Sequence, residues 1–129
     1  MLHVLQEKWG FSWEPVRWAA LPFGGGIGRS QSACGAVTAG AMAIGMRLGQ
    51  RGVTRDELAE EARDQAGDLM QRFRETFGHV DCRVLTGHDF NEPDGYKKWQ
   101  EAGLREDRCV KYVGFVAKYL AERETPGSA

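Results

Sequence analysis

The chain has almost no excess charge and no long apolar segment. Its 129 residues include 17 Lys and Arg against 18 Asp and Glu, which gives a formal net charge of -1 at pH 7. Proteins that bind nucleic acid or anionic membranes through a broad electrostatic field need a basic surface, so neither partner is predicted. The longest run of apolar and small residues, 33–46, is too short to span a bilayer, so membrane insertion is not expected. No apolar signal segment follows Met1, and we expect a cytoplasmic protein.

Cysteine is scarce, at three residues, and the familiar short cysteine motifs are absent. The lack of a C-x-x-C pair excludes a thioredoxin-type motif, and the lack of C-x-x-C-H excludes a c-type haem. Cys34, Cys82 and Cys109 are too far apart in sequence to form a local metal knuckle. Three cysteines in a cytoplasmic protein argue against a disulfide framework and for metal binding, catalysis or simple burial.

The nucleotide-binding glycine motifs are also absent, although glycine is abundant, at 17 residues. The loop at residues 24–28 does not fit G-x-G-x-x-G, because Arg29 and Gln31 stand where the template needs glycine. No nucleotide cofactor is therefore predicted. We interpret the loop as backbone that directs N–H groups toward an anion or a metal–sulfur group, with a plain tight turn as the alternative. The candidate cofactor-binding residues are Gly24, Gly25, Gly26, Gly28 and Arg29, the last of which could pair an anion.

Apolar residues recur at helical spacing, and no convincing pair of strands is found. The sequence therefore predicts an all-α fold, a single-domain bundle of about five to six helices over residues 1–129, with the glycine-rich loop leading into the helix of Cys34. The predicted helices cover residues 2–9 and 14–21, a segment from a cap at Ser30 or Ser32 to Leu48, a segment from the Thr54 capping box to Gly78, residues 82–85 and 96–102, and a last helix from Asp107.

Two of these helices have faces that bear on packing. In the helix after Cys34, a face of small residues would let a neighbouring backbone, a cofactor or a second copy of the chain approach closely. In the last helix, the apolar positions are expected to face the core. The small face comprises Ala36, Ala39, Gly40 and Ala43, and the apolar positions of the last helix are Val110, Val113, Val116, Ala117 and Leu120.

All three cysteines fall near predicted helix N-termini. A helix N-terminus carries a partial positive charge and unpaired N–H groups, which favour the thiolate that ligates metals and reacts with disulfides. We therefore predict that Cys34, Cys82 and Cys109 converge on one site as catalytic residues or metal ligands, with Cys34 as the most acidic thiol. The alternative for each is a small, buried and inert side chain. His79 and His88 are further candidate ligands, with surface positions as the alternative.

These motifs are similar to those of a known family. FGGGIGR at residues 23–29, CGAVT at 34–38, FGHVDCRVL at 77–85 and Cys109 before the last helix resemble the C_GCAxxG_C_C family over nearly the whole chain. Members of that family have four cysteines and a CGAxxG motif, are regarded as redox-active and are often encoded near transporters, and a related domain occurs in split-Soret cytochromes. The resemblance implies an iron–sulfur cluster or a set of redox thiols. Cys34 resembles the CGAxxG cysteine, Cys82 the third cysteine and Cys109 the fourth.

The chain departs from the family pattern at two positions. Ala39 occupies the final glycine position of CGAxxG, which adds one methyl group there. The first cysteine of the family has no counterpart, and His3 is the nearest residue able to substitute as a fourth ligand.

Three hypotheses follow for the function. The leading one is a small redox protein that holds an iron–sulfur cluster, or zinc, at its cysteines and exchanges electrons with a donor or acceptor protein. The second is a metal-free thiol–disulfide oxidoreductase in which Cys34 attacks and Cys82 or Cys109 resolves. The third is a non-catalytic helical interaction module, for which a homodimer is one form.

Overall fold

A computed structural model describes residues 14–52 and 54–123, and these residues form an all-α fold. Within them the strand-like pairing is confined to an isolated bridge between Ala33 and Asp81. The predicted fold class is confirmed, whereas the helix predicted over residues 2–9 lies outside the described residues. The helices are α1 (Glu14–Ala20), α2 (Gly35–Gly49), α3 (Arg55–Phe77), α4 (Cys82–Thr86), α5 (Gly95–Glu101) and α6 (Val110–Glu122), with a 3-10 turn over Leu21–Phe23 and a π-helical turn over Arg105–Cys109.

The core lies where α2, α3 and α6 pack against one another. Its largest fully buried side chains come in pairs from the three helices: Ile44 and Leu48, Leu69 and Phe73, and Val116 and Leu120. Aromatic rings of α3 and α6 add a second contact, because two phenylalanines of α3 meet Tyr112 and Phe115 with ring centroids 4.9 to 5.9 Å apart. Burial of each large apolar side chain contributes about 1.5–3 kcal/mol, so this three-helix core is the main source of stability.

Helix α3 begins and ends as its sequence predicts. The Thr54 side chain accepts a hydrogen bond from the Glu57 N–H at 3.3 Å, and the Glu57 carboxylate accepts one from the Thr54 N–H at 2.9 Å. This reciprocal capping box satisfies two of the unpaired donors at the helix start. Gly78 ends the helix with φ of 87°, a left-handed conformation that glycine adopts without steric cost.

No helix in the described part of the chain is both long enough and apolar enough to cross a membrane.

The small face of α2 is covered by the chain itself. Ala36 and Ala43 are buried in the core, and a Cβ added at Gly40 would lie 2.6 Å from Val116 and 2.7 Å from Leu69. The absence of a side chain at Gly40 lets α3 and α6 approach α2 closely. The proposed use of this face for a homodimer is therefore wrong, because its space is filled within one chain.

The last helix differs from its prediction in start and in rotation. The chain passes from a π-helical turn over Arg105–Cys109 directly into α6, so no new helix begins at Asp107. Val110 and Val113 were expected in the core, yet they are 59% and 36% exposed. Tyr112 and Tyr119 are buried in their place, since turning these larger rings inward removes more apolar surface from water.

Two glycines of α2 provide a matched pair for testing the packing. Gly40→Ala should lower the free energy of unfolding by about 1–3 kcal/mol, because the added methyl group overpacks the contact with Val116 and Leu69. Gly45→Ala should raise it by about 0.5–1 kcal/mol, because nothing lies within 4 Å of its added Cβ and alanine favours the helix. Urea denaturation of the two variants measures both effects. Equal shifts would show that close packing at Gly40 is not needed.

Candidate functional site

A short antiparallel pairing brings two of the cysteines together. The Cys34 N–H donates to the Val80 carbonyl at 2.7 Å, and the Cys82 N–H donates to the Ser32 carbonyl at 2.7 Å. These bonds flank the isolated bridge, and side chains alternate along extended backbone, so Cys34 and Cys82 lie on the same side of the pairing. Two residues that are distant in sequence thus become neighbours through backbone contacts.

The cysteines occupy three different positions relative to their helices. Cys34 is the N-cap residue of α2, so the predicted caps Ser30 and Ser32 are wrong, and the Ser30 hydroxyl instead donates to the Gly26 carbonyl at 2.9 Å. Cys82 is the first residue of α4, as predicted. Cys109 is not at a helix N-terminus, because it ends the π-helical turn that runs into α6.

The candidate residues line one cavity of about 640 Å³. All three cysteines line it, and none of them is in a disulfide. The five candidate loop residues line it too, together with part of α5, the π-helical turn and α6. These loop residues are Gly24, Gly25, Gly26, Gly28 and Arg29.

The glycine-rich loop is wound into a left-handed turn that is closed on itself. Residues 25–29 have φ between 59° and 69°, and Gln31 has φ of 60°. The N–H groups of residues 24 and 27–32 donate to carbonyl oxygens of residues 21–27. The predicted role as donors to an anion or to sulfur is therefore wrong for the amides of residues 24 and 27–29 of the loop, which donate to carbonyl groups instead, and the amides of Gly25 and Gly26 are not among them. A Cβ at position 26 would meet the Cβ of Cys82 at 2.7 Å, so glycine there lets the loop pack on that cysteine.

A buried glutamine fixes the loop against the rest of the site. The Gln31 amide nitrogen donates to the Thr86 hydroxyl at 3.1 Å and to the His88 carbonyl at 2.7 Å, and its oxygen accepts from the Phe90 N–H at 2.8 Å. Donors and acceptors on both sides fix the orientation of this amide. The Gln31 carbonyl also accepts from the Arg83 N–H at 3.2 Å. One side chain therefore connects the loop, α4 and the segment that follows α4.

Burial, rather than the helix end, dominates the acidity of the thiols. It raises the pKa of Cys34, although hydrogen bonds from the N–H groups of Ala36 and Val37 act in the opposite direction. Burial together with the charges of the other two thiols raises the pKa of Cys82 to about 11. Burial also raises the pKa of Cys109, against the opposing effect of Arg105. The expectation that the helix N-terminus lowers the pKa of Cys34 below its ordinary value is therefore wrong, because desolvation outweighs the two N–H contacts.

The three cysteines line the cavity without forming a metal-binding group among the described residues. No His, Asp or Glu of the described residues lines it, and no group of three or more His, Cys, Asp or Glu within 14–52 and 54–123 is arranged to hold a metal ion. His79 is exposed, and the His88 ring nitrogen Nδ1 lies 3.0 Å from the Thr86 carbonyl rather than in the cavity. His3 lies outside the described residues. The residues described do not complete a four-donor zinc or iron–sulfur site.

Comparison with known proteins identifies the family. The model of the family described as "Putative redox-active protein (C_GCAxxG_C_C)" matches residues 1–123. The chain belongs to the C_GCAxxG_C_C family. No curated protein and no solved structure matches it. The predicted resemblance is confirmed, and this C_GCAxxG_C_C protein is a member of a family of redox-active proteins.

Several residues around the cavity of this C_GCAxxG_C_C protein are not predicted by its sequence. Gln31 was read only as a mismatch to a nucleotide motif, and a polar residue in a glycine-rich loop gives no signal of burial. Arg105 carries no motif, yet it lines the cavity. The aromatic residues of the cavity wall are close together in the sequence around Trp99. Their spacing does not predict whether they face the core, the solvent or a cavity. These aromatic residues are Phe90, Tyr96 and Trp99.

Removal of the Gln31 amide should destabilise the protein. Gln31→Ala should lower the free energy of unfolding by about 2–3 kcal/mol, because it leaves buried partners in α4 and its following segment without a hydrogen bond. Gln71→Ala is the control, since it removes one exposed bond to Glu75 and should change stability by less than about 0.5 kcal/mol. Urea denaturation measures both. A Gln31→Ala protein as stable as the control would contradict the connecting role of Gln31.

The raised thiol pKa values predict slow alkylation at neutral pH. The iodoacetamide rate at each cysteine should climb above pH 9 and, for Cys82, reach half of its limit only near its pKa of about 11. In denaturant, the same three thiols should titrate near the ordinary value of about 8.5, which provides the control. Because unfolding restores the ordinary pKa, the free energy of unfolding should fall as the pH rises between these two values. A Cys34 that titrates below the denatured control would show that the helix end prevails over burial.

Proposed function

We propose that this protein exchanges two electrons with a disulfide substrate through the thiols of Cys34, Cys82 and Cys109. The observation that carries the proposal is that three free cysteines, distant in sequence, line one cavity. Membership of a redox-active family supports the chemistry. The proposed compartment is the cytoplasm, where the reducing environment keeps such thiols free between turnovers.

Cys34 is proposed as the attacking thiol. It is half-buried, and its sulfur accepts hydrogen bonds from the N–H groups of Ala36 and Val37, which stabilise the thiolate once it forms. Cys82 and Cys109 are the candidates for the resolving thiol. The charge of Cys34 raises the pKa of each, which supports this role for both, and Cys82 is the more buried of the two.

The proposed reaction balances as a two-electron exchange. The Cys34 thiolate attacks one sulfur of the substrate disulfide, a mixed disulfide forms, and the other substrate sulfur leaves as a thiolate that takes up a proton. The resolving thiolate then attacks the Cys34 sulfur and releases the second substrate thiol. The protein loses two electrons and two protons, and the substrate disulfide gains them. A dithiol or thiol reductant, protein or small molecule, returns the protein to its reduced form.

A metal-bound form is the second candidate function. The N–H contacts to the Cys34 sulfur and the charge of Arg105 near Cys109 favour it, because both stabilise the negative charge of sulfur ligands. The three cysteines are not arranged as a metal-binding group among the described residues, so Cys34, Cys82 and Cys109 would have to move closer together to hold an iron–sulfur cluster or a zinc ion. The cluster would supply one-electron transfer when bound. The fourth donor is not among the described cavity residues, so no step is assigned to the metal.

Thiol counting with a neutral disulfide tests the proposal. The reduced protein, mixed with 2-hydroxyethyl disulfide at pH 9, should release two equivalents of mercaptoethanol and keep one of its three thiols. Cys34→Ser should slow the reaction at least about tenfold, because no thiolate remains to attack. Of Cys82→Ser and Cys109→Ser, one should accumulate the mixed disulfide while the other reacts as the native protein does, so each is the control for the other.

The same samples distinguish the two candidates. Iron, zinc and sulfide are measured before and after anaerobic reconstitution of the reduced protein. Stoichiometric metal that is lost in each cysteine variant, with no thiol consumed by the disulfide, would replace the thiol proposal with the metal-bound form. If no thiol is consumed and no metal binds, both candidates fail.

A further inference from the structure

One wall of the cavity carries cations and aromatic rings that thiol exchange does not require. The Arg29 guanidinium lies 4.0 Å from the centre of the Tyr96 ring, and the Arg105 guanidinium lies 5.5 Å from that of Trp99. Phe90 contacts both rings, and the three ring centroids lie 5.2 to 5.5 Å apart. All five side chains line the cavity that the cysteines line. We call these five residues the cationic–aromatic wall.

The two guanidinium groups of this wall are in no ion pair within the described structure, and the charge of the Glu106 carboxylate raises the pKa of Cys109. No Asp or Glu of the described residues lines the cavity. Arg29 and Arg105 stack on rings and form no ion pair with a carboxylate within residues 14–52 and 54–123. Two guanidinium groups without a counter-ion beside a concave surface are suited to bind an anionic group, which they can hold through paired N–H donors.

A buried donor on the same wall lacks an acceptor. Trp99 is only 6% exposed, and its indole N–H has no hydrogen-bond partner in the described part of the chain. An unsatisfied buried donor is costly, so native structures rarely keep one without a reason.

We propose that the cavity binds a small disulfide that carries carboxylate groups, together with the thiol formed from it. Arg29 and Arg105 hold the carboxylates, the aromatic rings pack on the carbon chain, and the disulfide faces the cysteines. A cavity of about 640 Å³ lies within the usual range for small-molecule sites. The disulfide part of this inference rests on the proposed function, whereas the anionic part rests on the cationic–aromatic wall alone.

A sulfur-free ligand tests the anionic part independently of any reaction. Suberate has the same number of chain atoms between its carboxylates as 3,3′-dithiodipropionate and cannot exchange disulfides, and 1,8-octanediol is its uncharged counterpart. Calorimetry with the reduced protein should show suberate binding at least about tenfold more tightly than the diol, because charged hydrogen bonds form only with the carboxylates.

Matched arginine variants locate the binding. Arg29→Gln and Arg105→Gln should each weaken suberate binding about tenfold, and added salt should weaken it further in the native protein. Arg63→Gln is the control, because Arg63 is an exposed residue of α3 paired with Glu60 and does not line the cavity. Suberate that binds no better than the diol, or that is weakened equally by Arg63→Gln, overturns the inference.

Charge-matched disulfides then test the substrate class. Thiol consumption should be fastest with dianionic 3,3′-dithiodipropionate, slower with neutral 2-hydroxyethyl disulfide and slowest with dicationic cystamine. Arg29→Gln and Arg105→Gln should each reduce the differences between these three rates. Equal rates for all three would overturn the inference and leave the proposed function standing. If suberate binds as expected but no disulfide reacts, the proposed function fails and the anion site remains.

Discussion

The backbone pairing of residues 31–34 with residues 80–83 is the interaction on which the site depends. Three hydrogen bonds join the two segments, and the buried Gln31 amide extends the contact to α4 and the residues after it. Without this pairing, Cys34 and Cys82 would belong to separate helices with no common surface. The left-handed loop before Gln31 is the backbone cost of the arrangement, because residues such as Ile27 and Arg29 adopt φ values that side chains disfavour.

The electrostatics of the cavity follow from this convergence. Desolvation in this partly buried place makes all three thiols harder to ionise, and repulsion from a neighbouring thiolate adds to it at Cys82 and Cys109. The thiols are therefore protonated and neutral near pH 7. A disulfide or a sulfur bound to a cation carries no uncompensated negative charge, so the product avoids the penalty that the thiolate incurs. Both candidate functions pass through the thiolate, and Arg105 lowers its cost at Cys109.

The scaffold is separate from the site in physical terms. The three-helix core of α2, α3 and α6 is apolar and fully buried, and it presents the N-terminus of α2 and the start of α6 at one end. Gly40 matters to this scaffold because it lets the helices approach, whereas Gly26 matters to the site because it lets the loop reach Cys82. Gly40 is thus needed for helix packing in the core, and Gly26 for packing of the loop at the site.

The sequence predicted the structural features that depend only on residues within about one helical turn. The capping box at Thr54, the stop at Gly78, the short helix at Cys82 and the all-α class were all predicted from spacing and residue type, because helix ends are decided within one turn. The buried face of α6 was predicted wrongly. The helical spacing of its apolar residues does not determine whether the valines or the larger tyrosines face the core.

The sequence by itself determined the helices, the family and the identity of the three candidate cysteines. Only the tertiary structure decided that these cysteines share a cavity, that burial raises their pKa values, and that Gln31, Arg105 and the aromatic wall belong to the same site. The reason is physical: desolvation and charge coupling depend on distances between segments that are far apart in the chain. Spacing along a helix carries no information about those distances until the helices have packed.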